Sequence, residues 1–184
     1  MRILGISGSL RRSSWNTALL RAAANLLPSE VEVALHDGLR EIPAFDDDLS
    51  ASRPPAAEAF WREVGEADAV LIVTPEYNHS IPGQLKNALD WLSRPLLESP
   101  LRGKPVAVIG ASTGMFGAVW AQAEARKVLS AIGARPLDVE LPIPSADEQF
   151  TPEGRLIDPE LEASLTEIMI ALVSAVEERR ALLA

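Results

Sequence analysis

Three short stretches of the sequence carry the residues that could do chemistry. The first reads S-G-S-L-R-R-S-S-W-N-T from 7 to 17 and offers hydroxyls at Ser7, Ser9, Ser13 and Ser14 beside the guanidinium of Arg11. Convergent donors of this kind at the start of a helix, where backbone N–H groups lack intrahelical partners, suit a phosphate. A helix cap alone needs one serine. The chain carries a formal charge of -9, yet residues 1 to 29 hold Arg2, Arg11, Arg12 and Arg21 and no acid. Because salt screens charge beyond ~8–10 Å, a bound anion responds to that local surplus more than to the acidic total.

The second stretch, T-P-E-Y-N-H-S-I-P-G from 74 to 83, presents the aromatic face of Tyr77, donors from Asn78 and adjacent amides, and a backbone restricted by Pro75 and Pro82. As ordinary structure the same residues make a turn and a helix start, with His79 on the surface at the edge of any site. The third stretch, G-A-S-T-G-M-F-G from 110 to 117, contains the G-x-S-x-G spacing of a hydrolase nucleophile elbow. In that fold the histidine follows the serine. His36 and His79 both precede Ser112, so the hydrolase order cannot be completed. Ser112 and Gly114 suit instead a backbone that approaches a planar ring and donates hydrogen bonds to it. The run Asp46-Asp47-Asp48 has no second acidic cluster of matching spacing and reads as a solvated loop rather than a magnesium site.

Neither a Walker loop nor the dinucleotide fingerprint G-x-G-x-x-G occurs, since Gly8 is followed by Ser9, Leu10, Arg11, Arg12 and Ser13. A serine-rich loop favours a terminal monophosphate, which hydroxyls can surround, over a pyrophosphate, which needs close backbone approach. Flavin mononucleotide (FMN) carries such a group.

These loops must be positioned by regular elements, and the hydrophobic pattern supplies them. Arg2 to Ile6, Val31 to Leu35, Ala69 to Val73, Lys104 to Gly110 and Pro136 to Leu141 read as strands. Helices are expected over Trp15 to Leu27, Ala56 to Glu66, Pro82 to Leu92, Ala118 to Ile132 and Glu160 to Ala181, with Asp37 to Pro55 a loop. The alternation specifies an α/β domain with a mostly parallel sheet, in a single domain over residues 1 to 184. Ligands of such sheets bind beyond the carboxyl ends of strands, where all three stretches lie.

The stretches G-S-L-R-R-S-S-W-N at 8 to 16, P-E-Y-N-H-S-I-P-G-Q-L-K-N-A-L-D-W at 75 to 91 and A-S-T-G-M-F-G at 111 to 117 resemble the NADPH-dependent FMN reductases, which include quinone, chromate and azo-dye reducing members. The resemblance implies a flavodoxin-like three-layer sandwich with a five-stranded parallel sheet in the order 2-1-3-4-5. It implies that Ser9, Arg11, Ser14 and Asn16 bind the FMN phosphate, with Thr17 close by. Pro75, Glu76, Tyr77, Asn78 and the backbone of His79 would lie against the isoalloxazine, and Ser112 with Gly114 would close its other edge. It further implies a homodimer or homotetramer with the cofactor near a subunit interface. The sequence departs from many relatives at Gly117-Ala118-Val119-Trp120, where a second glycine is usual, which bears on how the nicotinamide or the acceptor is seated.

Composition narrows the rest. With no cysteine the chain has neither disulfides nor thiolate chemistry, so any redox work falls to a bound cofactor. The acidic charge excludes nucleic acid as a partner, no apolar run approaches the ~20 residues of a membrane span, and a cytoplasmic protein is expected. The expected reaction passes a hydride from NADPH or NADH to FMN, which then reduces a quinone, azo compound, metal oxyanion or free flavin in a ping-pong cycle. No catalytic side chain is required, because the flavin carries the chemistry. The competing reading is an FMN-binding electron carrier or interaction module without NAD(P)H turnover.

Overall fold

The structure, a computed structural model, describes residues 1–183. Strands β1 (Arg2–Ser7), β2 (Glu32–His36), β3 (Ala69–Val73) and β4 (Pro105–Ala111) run parallel, and two short strands, β5 (Arg135–Pro136) and β6 (Pro142–Ile143), both pair with β4. The order β2-β1-β3-β4-β5 is flavodoxin-like, as expected. Helices α1 (Trp15–Asn25), α2 (Pro55–Glu66), α3 (Gly83–Leu92), α4 (Val119–Ile132) and α5 (Pro159–Leu183) cover both faces.

Coverage on both sides explains why β3 is apolar at every position: all of Ala-Val-Leu-Ile-Val is buried. Successive side chains of a strand point to opposite faces. Val70 and Ile72 therefore meet Phe60, Leu85 and Leu129 from α2, α3 and α4, while Ala69, Leu71 and Val73 meet Leu19, Leu165 and Leu172 from α1 and α5. Each such leucine, removed from water, contributes on the order of 1.5–3 kcal/mol before entropy is counted.

One expectation is refined. The segment Pro136 to Leu141 is not one continuous strand: the chain touches β4 at Arg135–Pro136, leaves it, and returns at Pro142–Ile143. Pro136 and Pro142 cannot donate to a ladder, and Asp138 and Glu140 between them favour solvent over the sheet. The 37 to 55 loop also holds two short 3-10 turns, at Leu39–Glu41 and Asp47–Leu49.

At the opposite edge from the candidate loops, Lys104 is buried immediately before β4. Its Nζ donates to the carbonyls of Val64, Gly65 and Ala67 at the end of α2. Burial lowers its pKa from 10.5 to about 8, with Arg179 adding to the depression and Asp68 opposing it. Between those two values the unfolded chain binds more protons than the folded one, so this group makes stability rise with pH across that window. Lys104→Met leaves the carbonyls without their donor and is expected to destabilise by about 2 kcal/mol at neutral pH. In denaturant titrations the deficit relative to the parent should widen from pH 8 towards 10.5. A deficit that narrows over that range would contradict the assignment.

Candidate active site

Parallel register brings the three loops to one edge. Ser7 pairs with Val73 and Val73 with Ile109, so β1 and β3 end level and β4 runs two residues further, to Ala111. The next residues continue the ladder: Gly8 N–H donates to Val73 O at 2.8 Å and Thr74 N–H to Ile109 O at 2.9 Å. Glycine is required where these ends crowd, because a Cβ on Gly110 would lie 2.6 Å from Thr74 O.

The first loop is knitted by its own serines. Ser7 Oγ accepts from Thr17 Oγ1 at 2.9 Å, and Ser9 Oγ accepts from the Arg11 N–H at 3.4 Å. Arg11 Nη2 donates to Ser13 O at 3.3 Å, which curls the guanidinium back over the loop. Ser14 caps α1 by accepting from Thr17 N–H at 3.4 Å. The N–H groups of Trp15 and Asn16 in the first turn then have no helical carbonyl to meet, and they add to the positive end of the helix. Capping and anion binding are therefore compatible roles for Ser14.

Asn16 does something its sequence position did not reveal. Its side chain is buried and forms a two-point bond with Ala111, Nδ2 donating to Ala111 O at 2.9 Å and Oδ1 accepting from Ala111 N–H at 3.0 Å. That pair fastens the first loop to the third.

In the second loop, Tyr77 and Ser80 exchange backbone hydrogen bonds at 3.0 and 3.1 Å, with Asn78 and His79 at the turn tip in the left-handed region, φ 55° and 62°. Two consecutive positive φ values define a type I′ turn, which costs strain when neither residue is glycine. Tyr77 is left 48% exposed beside the cleft. Glu76 turns away to α4: its Oε2 accepts from Trp120 and Ala121 N–H at 3.0 and 3.1 Å. The reason is local, since Ala118 occupies the cap position with φ 62° and has no side-chain oxygen to offer.

The third loop rests on the segment around β6. Ser112 N–H donates to Ile143 O at 3.0 Å, Ala146 N–H to Ser112 O at 3.0 Å, and the buried Gln122 bridges Gly117 O and Leu141. Ser112 Oγ accepts from Gly114 N–H at 3.0 Å. His79 pairs instead with Glu76, and His36 with Glu63, so no histidine serves Ser112 as a base. Beyond the loop, Met115, Phe116 and Trp120 are exposed, and the rings of Phe116 and His79 each stand edge-on to Trp120 at 4.8 Å.

Together these loops enclose a cleft of about 110 Å³. Ser9, Arg11, Ser14 and Asn16 from the first loop and its helix line it together with Pro75, Glu76 and Tyr77 from the second and Ser112 from the third. Thr17 faces a neighbouring cavity, while Asn78, His79 and Gly114 stand outside the cleft walls. No helix among the described residues is long and apolar enough to cross a membrane, and no cluster of His, Cys, Asp or Glu among them is arranged to hold a metal.

Residues 1–148 match the family model described as NADPH-dependent FMN reductase. The chain belongs to that family. Members are flavin-dependent oxidoreductases with FMN as cofactor and NAD(P)H as reductant. The chain is 46% identical to an NAD(P)H-dependent FMN reductase of Pseudomonas aeruginosa over 86% of its own length and 85% of the relative's. It is 36% identical to a 2-hydroxy-1,4-benzoquinone reductase of a Burkholderia species, over 98% of each. Among solved structures it superposes on FerB, a flavoenzyme NAD(P)H:(acceptor) oxidoreductase from Paracoccus denitrificans, with a TM-score of 0.85, 33% identity and coverage of 96% and 97% of the two chains.

The donor set of this family member fits FMN. Hydroxyls, one guanidinium and a helix N-terminus on the first-loop wall of the cleft match a phosphate monoester. The Tyr77 ring on the second-loop wall matches a planar ring. Trp15, Ala111 and Thr113 also line the cleft and were not singled out from sequence. Thr113 carried the best available signal, since it lies between Ser112 and Gly114. Trp15 carried no signal beyond its place at the start of a helix, and it stacks on Phe150 at 5.6 Å.

Proposed function

We propose that the chain is an FMN-dependent NAD(P)H oxidoreductase that delivers electrons to a small-molecule acceptor such as a quinone, azo compound, metal oxyanion or free flavin. One observation carries the reading: the hydroxyls and guanidinium of the first loop, the Tyr77 ring of the second and Ser112 of the third line a single cleft at the carboxyl edge of the sheet. Arg11, Ser9 and Ser14 hold the phosphate. Asn16 fixes the loop that carries them. Pro75 and Tyr77 flank the ring and Ser112 closes the opposite edge, while Asn78, His79 and Gly114, outside the cleft walls, shape the loops that carry them. Glu76 is a positioning residue that locks the second loop to α4. FMN, when bound, supplies the hydride acceptor and the two-electron store.

The remaining tasks of the protein are to orient the ring, restrict water on one side and leave the other side open. In the proposed cycle nicotinamide and acceptor reach the same exposed face of the flavin in turn. Initial rates measured at several fixed quinone concentrations should give parallel double-reciprocal lines against NAD(P)H. Intersecting lines would show both substrates bound together and would overturn the ping-pong assignment. A homodimer or homotetramer is part of the proposal, supported by the exposed apolar group of Met115, Phe116 and Trp120 at the rim of the cleft.

A further inference from the structure

Behind the phosphate loop lies a second cavity of about 370 Å³, between that loop, α1 and the carboxyl end of β2. Arg12, Arg21 and Arg40 line it, and Arg11 forms a wall common to this cavity and the cleft. Arg40 is tied down by a bond from Nη2 to Leu10 O at 2.6 Å. Arg12 and Arg21 make no hydrogen bond or ion pair among the described residues. In a chain of net charge -9, gathering guanidinium groups around one cavity without carboxylate partners is unfavourable unless an anion joins them. Asp37 is the carboxylate on the cavity wall. His36, also on the wall, has Nδ1 2.7 Å from Glu63 Oε2, while its buried Nε2 has no partner among the described residues. Leu20 and the partly exposed Leu35 supply apolar surface.

We propose that this cavity receives the adenosine 2′-phosphate of NADPH and so sets the preference for NADPH over NADH, an inference that rests on the reductase reading above. The volume exceeds that of a bare phosphate and suits a nucleoside. Four guanidinium groups, from Arg11, Arg12, Arg21 and Arg40, line the cavity against the single carboxylate of Asp37. Arg12 and Arg21 have free planar forks for a phosphate dianion, and Leu35 offers a surface for adenine. The common Arg11 wall makes the two openings neighbours, so one dinucleotide can present nicotinamide at the cleft and adenosine here.

The test is calorimetric titration of the FMN-loaded protein with 2′,5′-ADP, 5′-AMP and inorganic phosphate, in the parent and in Arg12→Ala and Arg21→Ala. The expected result is preferential binding of 2′,5′-ADP, with each substitution weakening it about tenfold, the loss of one charge-assisted hydrogen bond. The ratio of kcat/KM for NADPH to that for NADH should fall by a similar factor with FMN affinity retained, and Arg12→Lys should recover part of it. Equal binding of 2′,5′-ADP and 5′-AMP would overturn the proposal, as would affinity matched by inorganic phosphate. So would equal losses with NADPH and NADH, or a loss of FMN instead. If NADPH fails to reduce the parent's flavin, the reductase reading fails by itself, while the 2′,5′-ADP titration still decides what the cavity holds.

Discussion

Arg11→Ala should weaken FMN binding about 30-fold, equivalent to ~2 kcal/mol for the loss of a charge-assisted hydrogen bond to the phosphate. In the structure the guanidinium makes one contact, with Ser13 O at 3.3 Å on the exposed side of the loop. Deleting it therefore removes little from the fold, and the flavin-free protein should melt within a degree or two of the parent, in keeping with a surface substitution worth about 0.5 kcal/mol or less. Arg11→Lys retains the charge but not the planar fork, so an intermediate affinity is expected. Flavin fluorescence titrations at two salt concentrations make the comparison. The parent's affinity should fall with salt more steeply than the alanine variant's, because the deleted charge is what salt screens. An Arg11→Ala affinity within twofold of the parent would remove Arg11 from the phosphate site.

Gly117→Ala should be the most damaging single-methyl change near the site. The residue has φ +56°, and an added Cβ would lie 2.5 Å from Ile143 N and 2.6 Å from Pro142 C. Those are backbone atoms of β6 and cannot swing aside as a side chain would. Either the loop or the short β6 pairing must move, and the combined overpacking and positive-φ strain is expected to cost about 3 kcal/mol or more. Gly103 provides the control: it too has a positive φ, +66°, but nothing lies within 4 Å of its added Cβ. Gly103→Ala should show the backbone strain alone, about 1–2 kcal/mol. Because Ser112 and Thr113 ride on the same loop as Gly117, its variant should also lose flavin affinity, whereas Gly103→Ala should not. Equal destabilisation by the two substitutions in chemical denaturation would show that loop 110 to 117 tolerates displacement and does not depend on β6.

The sequence was most legible where a local pattern had one structural solution. The run Ala-Val-Leu-Ile-Val at 69 to 73 fits a strand covered on both faces, and it is one. Ser14 and Pro82 sat where helices must begin, and α1 and α3 follow them. Adjacent parallel strands then put the three loops side by side at one edge. What could not be read was every bond made across long stretches of chain. Glu76 looked like a ligand contact, and its carboxylate reaches the N-terminus of α4, 44 residues away. Asn16 looked like a phosphate donor, and its amide grips Ala111 across 95 residues. Only the fold shows that Ala118, in a left-handed conformation without a capping oxygen, creates the vacancy that Glu76 fills. The split of the last strand was hidden for a different reason: two-residue strands leave no periodicity to detect. The unpaired arginines at 12 and 21 were visible as charges, but their common cavity with Arg40 depends on how the segment after β2 folds back.

The central claim is that this cleft holds FMN in a form that NAD(P)H reduces. The most direct measurement mixes the FMN-loaded protein with NADPH, and separately with NADH, under anaerobic conditions while the flavin absorbance is followed. Rapid bleaching, reversed when a quinone is added, is the expected result. A flavin spectrum that stays oxidised with both nicotinamides would contradict the claim and leave an FMN-binding protein without reductase activity.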